Sequence, residues 1–242
     1  MVAESRARVA EGRLLPYAAA EPAWNMAVDR ALVYNATTPT LRLYGWATAA
    51  VSLGRFQPGR ADLEGLLASG LAVVKRMTGG GAIVHWHELT YSVTLPEDHP
   101  LVSCPTRESY AALHAPIREA LASIGVDTST REGASPATDP VLCFHRVTTL
   151  DLVAGGRKLV GSAQRRTHGR VLQHGSIVLS VNPLQPGTAA IDDILGRPVP
   201  PEELAEAMTR AFDGPLGGLE VGELTDVERA AAEKAAPECR IS

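Results

Sequence analysis

Residues 150–164 read LDLVAGGRKLVGSAQ, and this stretch decides the fold. Two apolar extended segments, 150–153 and 158–163, flank the tetrapeptide AGGR at 154–157. Adjacent glycines supply the positive φ angles that tight hairpin loops require. The stretch therefore predicts a β-hairpin, and residues 171–181 predict a further long strand.

Helical and extended patterns alternate over the rest of the chain, without an internal repeat or a low-complexity linker. Pro116 lies inside one helical pattern and predicts a kink or a later start there, and Thr225 with Glu228 forms a capping box for the last helix. The predicted helices are 24–34, 61–69, 109–124, 205–212 and 226–235, and the predicted strands outside the hairpin are 41–44, 49–53, 71–76, 82–85, 90–95 and 171–181. Because hairpins dominate, we expect an α+β fold with a largely antiparallel sheet, in a single domain.

The composition is that of a globular enzyme rather than a nucleic-acid or membrane protein. The net charge is −4 and aromatic residues make up 5% of the 242 residues, which disfavours a nucleic-acid surface. No stretch approaches the roughly 20 apolar residues of a membrane span, and the first 13 residues do not resemble a signal peptide. The three cysteines form no disulfide framework, so we expect a cytoplasmic protein.

A glycine turn follows Arg76 and Thr78 at Gly79, Gly80 and Gly81, with His85 four residues later. Three glycines let the backbone approach a ligand, and their N–H groups can accept an anion. A bare triple glycine is more often only a tight turn, but the preceding arginine favours a binding role. His85 and His87 have a spacing that metal sites use, yet no cysteine or carboxylate cluster completes a set, so we expect no metal.

The lysine in the hairpin is notable because the chain has 23 basic residues but only three lysines. In a strand, Lys158, Val160, Ser162 and Gln164 share one face, so an amine, a hydroxyl and an amide would line a pocket wall. Gly161 and Ala163 are small, so another group can pack closely against the strand there. A surface lysine beside a turn is the ordinary alternative.

Cys143 lies between apolar neighbours after a proline-containing loop, shortly before the lysine hairpin. Such a cysteine is more often an inert core thiol. Its position before Lys158 indicates a nucleophile instead, because a nearby ammonium would increase the thiolate fraction. His145, two residues further on, is an alternative to Lys158 as the group that activates the Cys143 thiol.

These motifs resemble a known family. The string from Arg76 to Gly81 with His85, and the string from Arg157 to Gln164, are similar to the two signatures of the lipoate–protein ligase and octanoyltransferase superfamily. Residues 21–27 and 51–57 are similar as well, and the resemblance covers about residues 15–230 of one domain, 1–242. Residues 88–93 and the pair Cys143-Phe144 resemble the LipM type of octanoyltransferase, whose nucleophilic cysteine lies on a loop before the lysine hairpin.

The resemblance implies a fold like the catalytic domain of biotin protein ligases, with a central mixed sheet flanked by helices. It also implies octanoyl-acyl carrier protein as the donor and a lipoyl domain, such as the glycine-cleavage H protein, as the acceptor, with no cofactor for the transfer. On this basis we assign Cys143 and Lys158 as catalytic. The substrate-binding residues are then Arg76, Thr78, Gly79, Gly80, Gly81, His85, Tyr91, Gly161, Ser162, Ala163, Gln164, His174 and Gly175.

Two other functions remain open. An ATP-dependent lipoate ligase would use the same pocket for an acyl-adenylate, with ATP and magnesium and without the cysteine. A non-catalytic acyl-binding protein on the same fold ranks last, because Cys143 and Lys158 are both present.

Overall fold

A computed structural model describes residues 12–57, 70–130 and 150–241 of the chain. The strands there are β1 (Gly12–Ala20), β2 (Thr40–Trp46), β3 (Ala50–Leu53), β4 (Ala72–Lys75), β5 (Ile83–His85), β6 (Glu88–Pro96), β7 (Ser129–Thr130), β8 (Leu152–Ala154), β9 (Arg157–Thr167), β10 (Arg170–Val178) and β11 (Leu219–Val221). The helices are α1 (Pro22–Asn35), α2 (Thr106–Ser123), α3 (Ile191–Leu195), α4 (Pro201–Asp213) and α5 (Asp226–Cys239). The predicted helix 61–69 lies outside the described residues.

The main sheet has eight strands in the order β11-β1-β2-β6-β10-β9-β8-β7. The pairs β1–β11 and β1–β2 are parallel, and the other neighbouring pairs are antiparallel. A smaller sheet, β4-β3-β5, joins one parallel and one antiparallel pair. The predicted α+β fold with a mixed, largely antiparallel sheet is confirmed, whereas the separate small sheet was not foreseen.

The predicted hairpin joins β8 to β9, with Ala154 opposite Arg157. Gly155 and Gly156 have φ angles of 55° and 73°, the left-handed values that a two-residue hairpin loop requires. The glycine pair thus sets the register of β9, which continues as the wall of a cavity described below.

Helices cover the main sheet. Helices α1 and α5 pack against each other, and their small core contains Leu32, Ala232 and Ala235. Helices α2 and α4 pack together over the larger core, which contains Tyr91, Leu113 and Phe212. In the described part of the chain, no helix is long and apolar enough to cross a membrane.

Two predictions about helix ends have clear outcomes. Helix α2 begins at Thr106 and continues through Pro116, so a later start is wrong. The capping box of α5 is confirmed, because Thr225 Oγ1 accepts from Glu228 N at 3.3 Å and the Glu228 carboxylate accepts from Thr225 N at 2.8 Å. Arg13 of β1 also donates to Glu228, at 2.6 and 2.8 Å, and so ties the first strand to the last helix.

Candidate functional site

A cavity with an empty volume of about 440 Å³ lies between α1, the main sheet and the small sheet. Its exposed lining is mainly apolar. The sequence-predicted residues that line it are Arg76, Gly79, Gly80, His85, Gly161, Ser162, Ala163, His174 and Gly175. The lining also contains residues that the sequence motifs did not predict: Met26, Tyr44, Trp46, Ser52, Ile83, Thr90 and Ser176. The two glycine-bearing motifs, 82 residues apart from Gly79 to Gly161, therefore meet at one cavity.

Arg76 fixes the shape of the glycine turn. Its guanidinium donates to the carbonyl oxygens of Gly79 at 2.9 Å and Gly81 at 2.6 Å, and to Ser52 O at 2.8 Å. Gly80 has a φ of 94°, and a Cβ on Gly54 would overlap the carbonyl oxygen of Gly80. The Arg76 side chain therefore fixes the conformation of the turn through its carbonyl oxygens. The backbone at Gly80 approaches residue 54 so closely that only glycine fits there.

His174 on β10 belongs to a buried network of hydrogen bonds, the His174 network. Its Nδ1 lies 2.9 Å from Asp29 Oδ2, and its Nε2 lies 2.6 Å from Thr78 Oγ1. Asp29 also accepts from Arg42 Nη1 at 2.8 Å and from Tyr44 Oη at 2.9 Å. Burial alone would raise the pKa of the Asp29 carboxyl, but the hydrogen bond from His174 and the charge of Arg42 hold it below its usual value.

His85 forms a second buried cluster at the other wall. Its ring stacks on Trp46, with the centroids 3.7 Å apart, while Nδ1 lies 2.7 Å from Glu88 Oε1 and Nε2 lies 2.7 Å from Ser52 Oγ. Burial lowers the pKa of His85, although the Glu88 carboxylate opposes this, so the ring is neutral at pH 7. Both ring nitrogens are thus occupied by hydrogen bonds. His87 is exposed, and the described residues contain no group of three or more potential metal ligands.

The side chains of Ser162 and Gln164 form hydrogen bonds on the opposite face of the main sheet from the His174 network. Side chains alternate along a strand, and Gly175 pairs with Tyr91 whereas His174 pairs with Ser92. Accordingly, Ser162 Oγ lies 2.7 Å from Tyr91 Oη and 2.9 Å from His114 Nε2. A Cβ on Gly175 would come within 2.8 Å of the Tyr91 ring and within 2.7 Å of Ser162 Oγ.

The amide of Gln164 continues this network, because Nε2 donates to Ser109 Oγ at 3.0 Å and to Gln173 Oε1 at 3.1 Å. Burial lowers the pKa of His114 to about 4 and raises the pKa of Tyr91, so both groups are neutral. Of the expected wall of amine, hydroxyl and amide, Ser162 belongs to the cavity lining, whereas Lys158 and Gln164 do not, and the Ser162 hydroxyl is bound to Tyr91 and His114. Backbone and small residues of β9 border the cavity, and a binding role for Tyr91 and Gln164 stays a prediction.

Lys158 is buried with 2% of its surface exposed, and its Nζ lies 3.0 Å from Asp151 Oδ1. It is not a surface lysine. Lys158 is not one of the described residues that line the cavity, but it lies on β9 three residues before Gly161, which does line the cavity. Cys143 and His145 lie outside the described residues, so the proximity of the thiol to the Lys158 ammonium stays a prediction.

The site could be partly recovered from one more sequence signal. Asn25 and Asp29 are four residues apart within the apolar stripe of α1, which places two polar side chains on a buried helix face. Buried polar groups need partners. Asn25 donates to Gly45 O at 2.9 Å and, through Oδ1, accepts from Arg42 at 2.6 Å.

Comparisons with known proteins agree with the fold and identify the family. An octanoyltransferase LipM of Moorella thermoacetica is 42% identical over 179 residues, which cover 70% of this chain and 66% of that protein. The octanoyltransferase LipM of Kyrpidia tusciae is 36% identical over 92% of this chain and 93% of its own length. The bipartite lipoate protein ligase of Thermoplasma acidophilum superimposes with a TM-score of 0.74 at 21% identity, covering 95% of this chain and 93% of that one. The family model for the lipoyl protein ligase A/B catalytic domain matches residues 21–195, and the chain belongs to this family.

Proposed function

We propose that this chain is an octanoyltransferase, which moves an octanoyl group from octanoyl-acyl carrier protein to a lysine of a lipoyl domain of the glycine-cleavage H protein type. The observation that carries the proposal is the similarity to octanoyltransferases over nearly the whole chain, 92% in the Kyrpidia comparison. The apolar cavity at the meeting point of the family motifs supports it. We further propose a cysteine thioester at residue 143 as the intermediate.

The cavity suits an alkyl chain for two reasons. Its lining includes Met26, Trp46 and Ile83, and burying six or seven methylenes at about 0.8 kcal/mol each would contribute roughly 5 kcal/mol to binding. In addition, the polar rings on the wall, His85 and His174, already have protein partners for both ring nitrogens. An octanoyl chain would therefore bind without leaving those groups unsatisfied.

The buried ion pair gives Lys158 a fixed position. Asp151, just before β8, holds Lys158 Nζ at 3.0 Å from its Oδ1, so the ammonium can donate hydrogen bonds from a fixed point. The ammonium would stabilise a thiolate at Cys143, and it would donate to the oxyanion that forms on the thioester carbonyl. A donor of this kind contributes roughly 10²–10³ in rate.

The two transfer steps balance without a cofactor. The Cys143 thiolate attacks the donor thioester, the new carbon–sulfur bond forms, and the bond to the carrier's sulfur breaks to release its thiolate. The neutral amine of the acceptor lysine then attacks the Cys143 thioester, an amide forms, and the Cys143 thiolate leaves. The amine proton passes to a base, for which His145 is the candidate. No ATP is needed, because a thioester carbonyl is already activated.

The deciding experiment is transfer from octanoyl-carrier protein to a lipoyl domain, run with and without ATP and magnesium. We expect equal rates of octanoyl-lysine formation in both reactions. ATP-dependent incorporation of free octanoate or lipoate, with exchange of pyrophosphate, would contradict the proposal in favour of a ligase. Tight octanoyl binding without turnover in either assay would instead indicate an acyl-binding protein.

A further inference from the structure

A second depression, which we call the cationic groove, adjoins the cavity. It has an empty volume of about 680 Å³ and shares Met26 and Arg76 with the cavity lining. Its other basic residues come from four separate parts of the chain: Arg30 on α1, Arg55 after β3, Lys75 at the end of β4, and Arg165 on β9. The fold thus gathers positive charge from distant segments in a protein whose net charge is −4.

Among the residues that the structure describes, the positive charge of the cationic groove is only partly compensated by carboxylates. Glu238 is the acidic residue in its lining and pairs with Arg30 at 2.7 Å. In residues 12–57, 70–130 and 150–241, no carboxylate forms an ion pair with Arg55, Lys75 or Arg165. Arg55 and Lys75 are exposed, so they are available to a partner.

Arg165 is held in place despite the repulsion between the cations. Its Nη1 donates to Met77 O at 2.8 Å. Partial burial, and then the positive charge of Arg55, lower the pKa of Arg165. Like charges held near one another cost free energy, and an anionic partner would remove that cost.

Aromatic rings flank these cations. Phe56 is 83% exposed and its ring lies 5.5 Å from the Arg55 guanidinium, and Tyr34 lines the groove with 41% of its surface exposed. Arginine and exposed aromatic side chains are the residues enriched at protein interfaces. The surface therefore has the composition of a protein-docking site as well as the charge of an anion site.

The distance between Lys158 and the cationic groove indicates which of the two protein partners of the proposed reaction docks in the groove. Lys158 and Arg165 lie on the same strand, seven residues apart, which corresponds to about 23 Å at the rise of a β-strand. A lysine side chain has only four methylenes, so the body of the acceptor must lie close to the reaction centre. An acyl carrier protein presents its thioester at the end of a long flexible arm, so its body can dock at a distance.

We propose that the cationic groove docks an acidic face of the carrier protein that delivers the octanoyl thioester. This inference rests on the proposed function, since it assumes a carrier-bound donor. Encounter would be steered by charge, and the apparent affinity for the donor would fall with salt concentration.

The test compares two donors with one set of full-length variants. The variants are Arg55→Glu, Lys75→Glu and their combination, with Arg210→Glu on the exposed face of α4 as the matched control. The donors are octanoyl-carrier protein and octanoyl-pantetheine, which lacks the carrier body and its charge. The KM and kcat for each donor, and the KM for the lipoyl domain, are measured at several salt concentrations.

We expect the double variant to raise the KM for octanoyl-carrier protein about tenfold, since an exposed ion pair contributes up to about fivefold in affinity. The kcat, the KM for octanoyl-pantetheine and the KM for the lipoyl domain should stay unchanged, and the salt dependence should weaken. An unchanged carrier KM, an equal loss with both donors, or a rise in the lipoyl-domain KM would each overturn the inference. Octanoyl transfer from octanoyl-pantetheine by the unaltered protein tests the proposed function separately, because this donor does not need the cationic groove.

Discussion

Replacing Asp29 by asparagine should destabilise the protein strongly, because this carboxylate neutralises a buried arginine. Asp29 has 1% of its surface exposed and accepts from Arg42, Tyr44, Ser92 and His174 at 2.8 to 2.9 Å. The Arg42 side chain is itself only 8% exposed. Asparagine preserves the volume but removes the charge, so the variant isolates the electrostatic part of the interaction.

The expected loss is about 3–5 kcal/mol, the usual cost of leaving one member of a buried ion pair without its partner. At roughly 2–4 °C per kcal/mol for a chain of this size, the Tm should fall by roughly 6–20 °C. The pKa of Asp29 lies below its ordinary value of 3.8 in the folded protein. Its contribution is therefore complete above that value and is lost as the pH falls through the folded-state pKa.

Thermal and urea unfolding of Asp29→Asn, Arg42→Met and the double variant would measure this coupling. We expect the double variant to be more stable than the sum of the two single losses predicts, because it leaves no unpaired charge. A loss below about 1 kcal/mol for Asp29→Asn, or strict additivity in the double variant, would refute the reasoning.

Three further predictions concern other parts of the molecule. Burial lowers the pKa of His114 from 6.5 to about 4, so between these pH values the unfolded chain binds more protons than the folded one. The free energy of unfolding, measured with urea, should therefore fall by about 3 kcal/mol from pH 6.5 to 4. His114→Gln should abolish this contribution to the pH dependence. Gly54→Ala should lower the Tm because its Cβ overlaps Gly80 O, whereas Gly214→Ala, with nothing within 4 Å, should be neutral; equal effects would contradict this. Lys158→Ala should lower kcat for transfer by roughly 10²-fold or more, and Lys158→Arg should not restore it; full activity in either variant would exclude the assigned role.

Sequence patterns predicted those elements whose signals are local. The positive φ angles of Gly155 and Gly156 and the capping box at Thr225 follow from a few adjacent residues, and both are confirmed. Strand β1 was missed because Pro16 lies inside it and lacks an N–H for the ladder. The strand contains that proline at a register shift between Leu15 and Ala18, which only the partner strand defines.

The site was predicted less completely than the fold. Strand alternation placed Ser162 and Gln164 on one face, but it could not show that this face lies beneath α2, where His114 and Ser109 bind them. The partner of Lys158 was not predicted either, because Asp151 lies just before β8 and the register shift in β8–β9 affects which residues come close to Lys158. Contacts of this kind depend on packing between elements, which periodicity in one segment does not encode.

The most direct test of the account is the mass of the intact protein after incubation with octanoyl-carrier protein and no acceptor. The account predicts an increase by one octanoyl group, located by peptide mapping at Cys143. The adduct should disappear when a lipoyl domain is added, and it should never form in Cys143→Ser. Full transfer activity in Cys143→Ser, or turnover by a protein that never carries the acyl group, would contradict the covalent mechanism.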